Sequence, residues 1–192
     1  MSFHEGIPYR NPVYRMASST CTVTVGTTQF ETLVRDTLSA NPLPFAQVLK
    51  RLEISKLVLQ FGKGSKPSTE FVRALEECGI EVHACRFVPD MSQVISASDV
   101  VISHAGAGSI LEALRAPRCK LLVVVVNRAL MDDHQTEIAF ALHEQGLLLA
   151  VDCADLIPRL SEARLDGSPR KLFPDPNTEA FVRMMSEDLG IE

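Results

Sequence analysis

The chain has 192 residues, 46% of them hydrophobic, and a formal net charge of −5, enough apolar material for one sizeable core and a single domain. Its 19 Lys and Arg are outnumbered by 24 Asp and Glu and form no cluster, which argues against a nucleic-acid partner. The longest purely apolar run, 121–126, is about a third of the roughly 20 residues that cross a bilayer, so the sequence offers no membrane span of its own.

The opening MSFHEGIPYRNPVYRM mixes charge and proline without an apolar h-region, so it is no secretory signal and the expected location is cytoplasmic. Residues 1–19 read as a loose leader. From there β-rich runs alternate with amphipathic helices, and strands are expected at 21–25, 56–60, 80–87, 99–104, 120–126 and 147–151. The first interval, 30–52, contains Asn41-Pro42-Leu43-Pro44, which should split it into two helical pieces because proline lacks a donor and restricts its predecessor. Further helices are expected at 68–78, 91–96, 108–115 and 133–145. Residues 20–160 then make one domain and 161–176 a linker rich in Asp, Gly, Pro and charge. A last helix at 177–192 carries Phe181, Met184, Met185 and Leu189, a candidate docking element for a partner. Cys21, Cys78, Cys85, Cys119 and Cys153 are odd in number and scattered, as expected of reduced core thiols.

Strands that are apolar throughout fit a sheet covered on both faces, so the fold class is α/β, a Rossmann-like open parallel sheet. Such sheets bind ligands beyond the carboxyl ends of their strands, where Gly26, His104 and Asn127 fall. Gly106-Ala107-Gly108-Ser109 lies between a strand and a helix. Missing β-carbons there let a phosphate approach free N–H groups, and Ser109 adds a hydroxyl; the plainer reading is a tight turn with a helix cap. Glu112, four residues after Gly108, shares its helical face and suits a ribose diol, or simply complements the helix dipole. His104 can face the ligand, donate to a phosphate or assist proton transfer; a satisfied, partly buried histidine is an equal reading. In Asp132-Asp133-His134-Gln135 a capping box explains the aspartate better than the histidine, and Gly146 should stop that helix. Gly26-Thr27-Thr28-Gln29 is a second hydroxyl-bearing turn that suits phosphate or acceptor.

Several chemistries are struck out. There is no Gly-x-Gly-x-x-Gly after the first strand, no Gly-x-Ser-x-Gly elbow, no P-loop and no His-Glu-x-x-His. No two aspartates are separated by one residue, so charge on a diphosphate leaving group falls to helix N-termini and hydrogen bonds.

Val23-Thr24-Val25-Gly26-Thr27-Thr28, Gln60-Phe61-Gly62, the run Asp99 to Ser109, and Asn127 through Leu130-Met131-Asp132-Asp133-His134-Gln135 together resemble one family. It is the cytosolic subunit of the two-chain UDP-N-acetylglucosamine transferase of asparagine-linked glycosylation. The resemblance runs over about residues 21–150, and extends more distantly to the C-terminal, donor-binding half of the GT-B peptidoglycan-precursor transferase. It implies addition of the second N-acetylglucosamine to dolichyl-diphosphate N-acetylglucosamine on the cytosolic face of the endoplasmic reticulum, with UDP-N-acetylglucosamine as donor and no metal or other cofactor. It also implies a membrane-anchored, acceptor-binding partner without which the chain is inactive.

By position, the resemblance implies that Gly106, Gly108 and Ser109 cradle the diphosphate, Glu112 holds the ribose, and His134 with Gln135 approach the sugar. Phe87-Val88-Pro89-Asp90-Met91 resembles the segment whose backbone borders uracil, and Gly26, Thr27, His104 and Met131 complete the nucleotide-sugar set. The catalytic base is open between His104 and the partner. A non-catalytic nucleotide-sugar-binding module and a sugar-nucleotide epimerase remain the rival readings.

Overall fold

The computed structural model describes residues 18–126 and 133–165, the second block with side chains from residue 136 on. Its strands are β1 Thr20–Thr24, β2 Lys56–Gln60, β3 Glu81–Cys85, β4 Val100–His104, β5 Leu121–Val126 and β6 Leu149–Asp152. They form one sheet in the order β3-β2-β1-β4-β5-β6, every pairing parallel. The helices are α1 Pro42–Arg51, α2 Thr69–Glu77, α3 Met91–Ser96, α4 Ala107–Arg115, α5 Asp133–Glu144 and α6 Leu156–Glu162, with a π-helix at Thr32–Ser39 and a 3₁₀ turn at Cys153–Asp155. The expected Rossmann-like open parallel sheet is therefore the observed one.

Successive strand residues point to opposite faces, and each face has its own core. Val100, Ile102, Val123 and Val125 pack with Phe45, Leu49, Phe71 and Leu156, so α1, α2 and α6 cover one side. Val101, Leu122, Val124 and Val126 pack with Ile95, Ile110, Leu114 and Ala139, so α3, α4 and α5 cover the other. The chain winds outward from β1 through β2 to β3, then returns to β4 and winds the other way. The winding thus reverses between β1 and β4, and at such a switch point the flanking loops part and leave a crevice at the carboxyl edge.

Boundaries follow local chemistry. The interruption expected at the prolines is present: the π-helix ends at Ser39 and α1 begins with Pro42 as its first residue, where a missing N–H costs nothing. The sixth strand starts at Leu149 rather than at residue 147, because Leu147 is spent on closing α5. Its N–H donates to Leu142 O at 3.0 Å while Gly146, at φ +71°, donates to His143 O at 2.8 Å. The third strand ends at Cys85, short of residue 87; beyond it the pairing runs on only to Arg86 O, which accepts from Gly62 N–H at 3.0 Å, and Gly62 itself turns at φ +58°. Helix α6 was not expected from the pattern; it buries only Leu156 and Leu160, too few positions to show a period.

At the amino edge of the sheet Asp99, 5% exposed, gathers several donors. It accepts from Thr20 N–H at 3.0 Å and from Arg118 Nη2 at 2.9 Å, and Lys120 Nζ lies 3.4 Å away. Burial opposes ionisation, but these donors outweigh it and hold the carboxyl below its usual range. Arg118 also donates to Ser18 O at 2.9 Å, so one carboxylate ties the starts of β1, β4 and β5 together. None of the five cysteines is in a disulfide.

Candidate functional site

The chain leaves β1 through Val25 into Gly26, whose φ is +63°, a conformation that costs a side-chain-bearing residue about 1 kcal/mol or more. Its N–H donates to Thr24 Oγ1 at 3.1 Å, and its carbonyl accepts from Gln60 Nε2 at 2.7 Å. Thr28 Oγ1 donates back to Val25 O at 2.8 Å. The turn is thereby folded onto its own strand end and leaves Thr27 on the lip of the crevice.

His104 ends β4 directly alongside. A β-carbon at Gly26 would sit 2.6 Å from its Cε1, and one at Gly106 would collide with its Nε2. Both glycines are needed for the imidazole to lie between the two turns. Burial pushes the His104 pKa down, against an opposing hydrogen bond with the Thr24 backbone, and its Nδ1 is buried without a partner among the described residues. At neutral pH the ring is thus an uncharged hydrogen-bonding group rather than a fixed cation.

Gly106 is the extended N-cap of α4 and offers no side chain. The first helical bond runs from Ile110 N–H to Gly106 O at 3.1 Å, so the N–H groups of Ala107, Gly108 and Ser109 lie ahead of the helical ladder and point out of its end. Gly108 and Ser109 border a cleft of about 250 Å³ lined also by Thr24, Gly26, Thr27, Gln60, Phe87, Val88, Met91 and Glu112. Among the described residues Glu112 is the one charged member of that lining. A phosphate here is therefore served by backbone dipoles, and the carboxylate suits a neutral, hydroxyl-bearing part of a ligand. Phe87 is 49% exposed and gives the far lip an aromatic face.

Six residues expected from sequence, Gly26, Thr27, Val88, Gly108, Ser109 and Glu112, thus meet in one cleft. His104 and Gly106 stand behind its wall as a packed pair. His134 and Gln135 fall in the first turn of α5, their side chains outside the described residues, and Met131, residues 1–17 and 166–192 lie outside them altogether. Sequence reasoning gave no role to Gln60, although an amide closing the otherwise apolar end of a buried strand was a signal for one. Two larger hollows, of about 390 and 600 Å³, share Arg164 and open at the amino edge of the sheet, between Leu147–Leu149 and α6 and between Arg51–Glu53 and α6. Among the described residues no three His, Cys, Asp or Glu side chains group to hold a metal, and no helix is long and apolar enough to cross a membrane.

Residues 20–189 match the glycosyltransferase family 28 C-terminal domain. The chain is 33% identical over 199 residues to the UDP-N-acetylglucosamine transferase subunit ALG13 of Cryptococcus neoformans var. neoformans serotype D, a match covering 90% of this chain and 98% of that one. The human protein of the same name is 39% identical over 131 residues, covering 68% of this chain and 11% of its own length. A solution NMR structure of ALG13 superposes with a TM-score of 0.57 at 29% identity, covering 87% of this chain and 94% of that one. The crystal structure of Acinetobacter baumannii MurG shares the fold, with a TM-score of 0.51 at 20% identity over 90% of this chain and 42% of that one. Sheet order, cleft and likeness agree over the same residues, and the chain belongs to glycosyltransferase family 28, as a C-terminal domain of that family.

Proposed function

We propose that this chain is the donor-binding, catalytic subunit of a UDP-N-acetylglucosamine transferase that adds the second N-acetylglucosamine to dolichyl-diphosphate N-acetylglucosamine. The observation that carries the reading is the common cleft of Gly26, Thr27, Val88, Gly108, Ser109 and Glu112, set at the switch point of a parallel sheet. The diphosphate lies on the N–H groups that open α4, with Gly108 giving close approach, Gly106 making room for His104 behind them, and Ser109 and Thr27 adding hydroxyls. Glu112, a helical turn further on, accepts from the ribose diol, and the backbone around Val88 borders the base. By the resemblance, Met131, His134 and Gln135 are the residues that take the sugar.

In the reaction the acceptor hydroxyl displaces UDP in line at the sugar carbon, with inversion. The helix N-terminus stabilises the charge that develops on the leaving diphosphate, and because those dipoles are already oriented they need little reorganisation. A neutral His104 supports a hydrogen-bonding role behind the phosphates. The base comes from the partner.

That partner is a membrane-anchored, acceptor-binding subunit that closes the other side of the cleft and holds this chain at the cytosolic face of the endoplasmic reticulum. The relatives' name, subunit, supports the existence of a partner. In the reconstituted pair, Glu112→Ala or His134→Ala abolishes transfer while the complex still assembles; near-normal turnover in either variant removes that residue from the site. Donor incubated without lipid acceptor should be returned unchanged, and an epimerised product would replace this reading altogether.

A further inference from the structure

Gln60 closes β2 after Leu57, Val58 and Leu59 and is 2% exposed. A buried amide must place a carbonyl and two N–H bonds or pay for each one missing. Here Oε1 accepts from the Thr24 hydroxyl at 2.6 Å, and Nε2 donates to Gly26 O at 2.7 Å and to Arg86 O at 2.8 Å. Both amide hydrogens are committed to backbone carbonyls, so Gln60 has none to offer a ligand although it floors the cleft. Thr24 Oγ1 in turn accepts from Gly26 N–H at 3.1 Å. Gly26 is thus gripped at its N–H and its carbonyl by one connected circuit, and the same amide reaches the carbonyl just before Phe87 and Val88. Strand register makes this possible: Thr24 pairs with Gln60, and Gln60 with Cys85, so the side chain stands between the loops that leave β1 and β3.

We infer that Gln60 is a positioning residue that fixes the Gly26–Thr27 turn and the Phe87–Val88 lip at a set spacing, and so tunes the cleft to a ligand that must touch both. The inference rests on reading the cleft as a nucleoside-diphosphate site. Arg86 keeps other anchors, since its carbonyl also accepts from Gly62 N–H at 3.0 Å and its guanidinium lies 5.1 Å over the Phe61 ring. Gly26 O has no other hydrogen-bond donor among the described residues, so the β1 turn is the side that drifts when the amide is removed.

The test titrates UDP and, separately, uridine into the full chain as wild type, Gln60→Met, Thr24→Val and Thr24→Ser, with thermal melts and amide spectra of each. Methionine and valine keep the packing volume and delete the bonds. UDP affinity is expected to fall about tenfold to a hundredfold in Gln60→Met and Thr24→Val, as misplacement on the ångström scale does. Uridine, which engages one lip only, should fall less than threefold, and Thr24→Ser should restore UDP binding. A merely structural role lowers the melting temperature and leaves the ratio of UDP to uridine affinity unchanged. That result, or unchanged UDP binding in folded variants, overturns the inference.

If Gln60→Met does not fold, the Thr24→Val and Thr24→Ser pair decides. If wild type binds no UDP, the functional reading fails instead, and the positioning role is judged on the Gly26 and Val88 amide resonances. A shift of the Gly26 resonance larger than that of Val88 in Thr24→Val but not in Thr24→Ser supports it; a Gly26 resonance that moves no more than that of Val88 refutes it.

Discussion

Gly108→Ala separates stability from ligand binding at one position. Gly108 has no positive φ, and a β-carbon built on it meets nothing within 4 Å, so alanine enters the first turn of α4 without strain. Replacing glycine at such a site stabilises by about 0.4–1 kcal/mol through the unfolded chain. For a protein of this size that is a rise of about 1–4 °C in Tm. Gly108 also lines the cleft, so the same methyl competes for space with a phosphate oxygen that needs to come within about 3 Å of the N–H. UDP affinity should therefore fall about tenfold or more, about 1.4 kcal/mol. Gly106→Ala is the control, because its β-carbon strikes His104 Nε2 and should cost stability as well as binding. Thermal melts and calorimetric titration of UDP read both quantities. A Gly108→Ala protein that binds UDP within twofold of wild type would show that no diphosphate rests on this turn.

Three further outcomes are expected. Asp99→Asn should cost about 2 kcal/mol in urea melts at pH 7, since it leaves Arg118 and Lys120 facing a neutral amide in a buried site. Because the native carboxyl titrates below its unfolded value, its contribution is complete above about pH 4 and lost as pH falls through the native pKa; a gap that already narrows at pH 6 speaks against it. Glu53 is the one described residue other than glycine at positive φ, +57°, where it closes α1 by donating to Lys50 O at 2.9 Å. Glu53→Gly should raise stability by about 0.5–1 kcal/mol, and a lower Tm would contradict the strain. His104 should titrate by NMR with a midpoint below 6.5. Native stability present above pH 6.5 is then lost as pH falls toward that midpoint, and a midpoint above 6.5 would mean that the ring is not desolvated.

Much of this was legible in the chain because the relevant physics is local. The run Leu121–Val126 is apolar throughout, which only a doubly covered strand tolerates, and the break at Pro42 follows from a missing N–H. The meeting of Gly108, Ser109 and Glu112 was readable from helical spacing alone. What stayed hidden depends on register across strands. Nothing in the sequence near Gln60 announces that Thr24 lies opposite it, and nothing near Gly106 or Gly26 announces that both are small for the sake of His104. Likewise Asp99 reads as an ordinary strand entry until Arg118, 19 residues later, is folded onto it.

The two edges of the sheet therefore carry different loads. At the amino edge a buried carboxylate satisfies donors from three strand starts, and its removal is felt in the whole fold. At the carboxyl edge the bonds of Gln60 and Thr24 hold loops rather than strands, beyond the last rungs of the ladder, so their removal shifts the cleft while the sheet persists. Asp99→Asn should then keep UDP affinity within twofold in the folded protein, although it is the more destabilised variant. A tenfold loss there would mean that strain passes from one edge to the other, and that the cleft depends on the entire sheet rather than on the circuit beneath it.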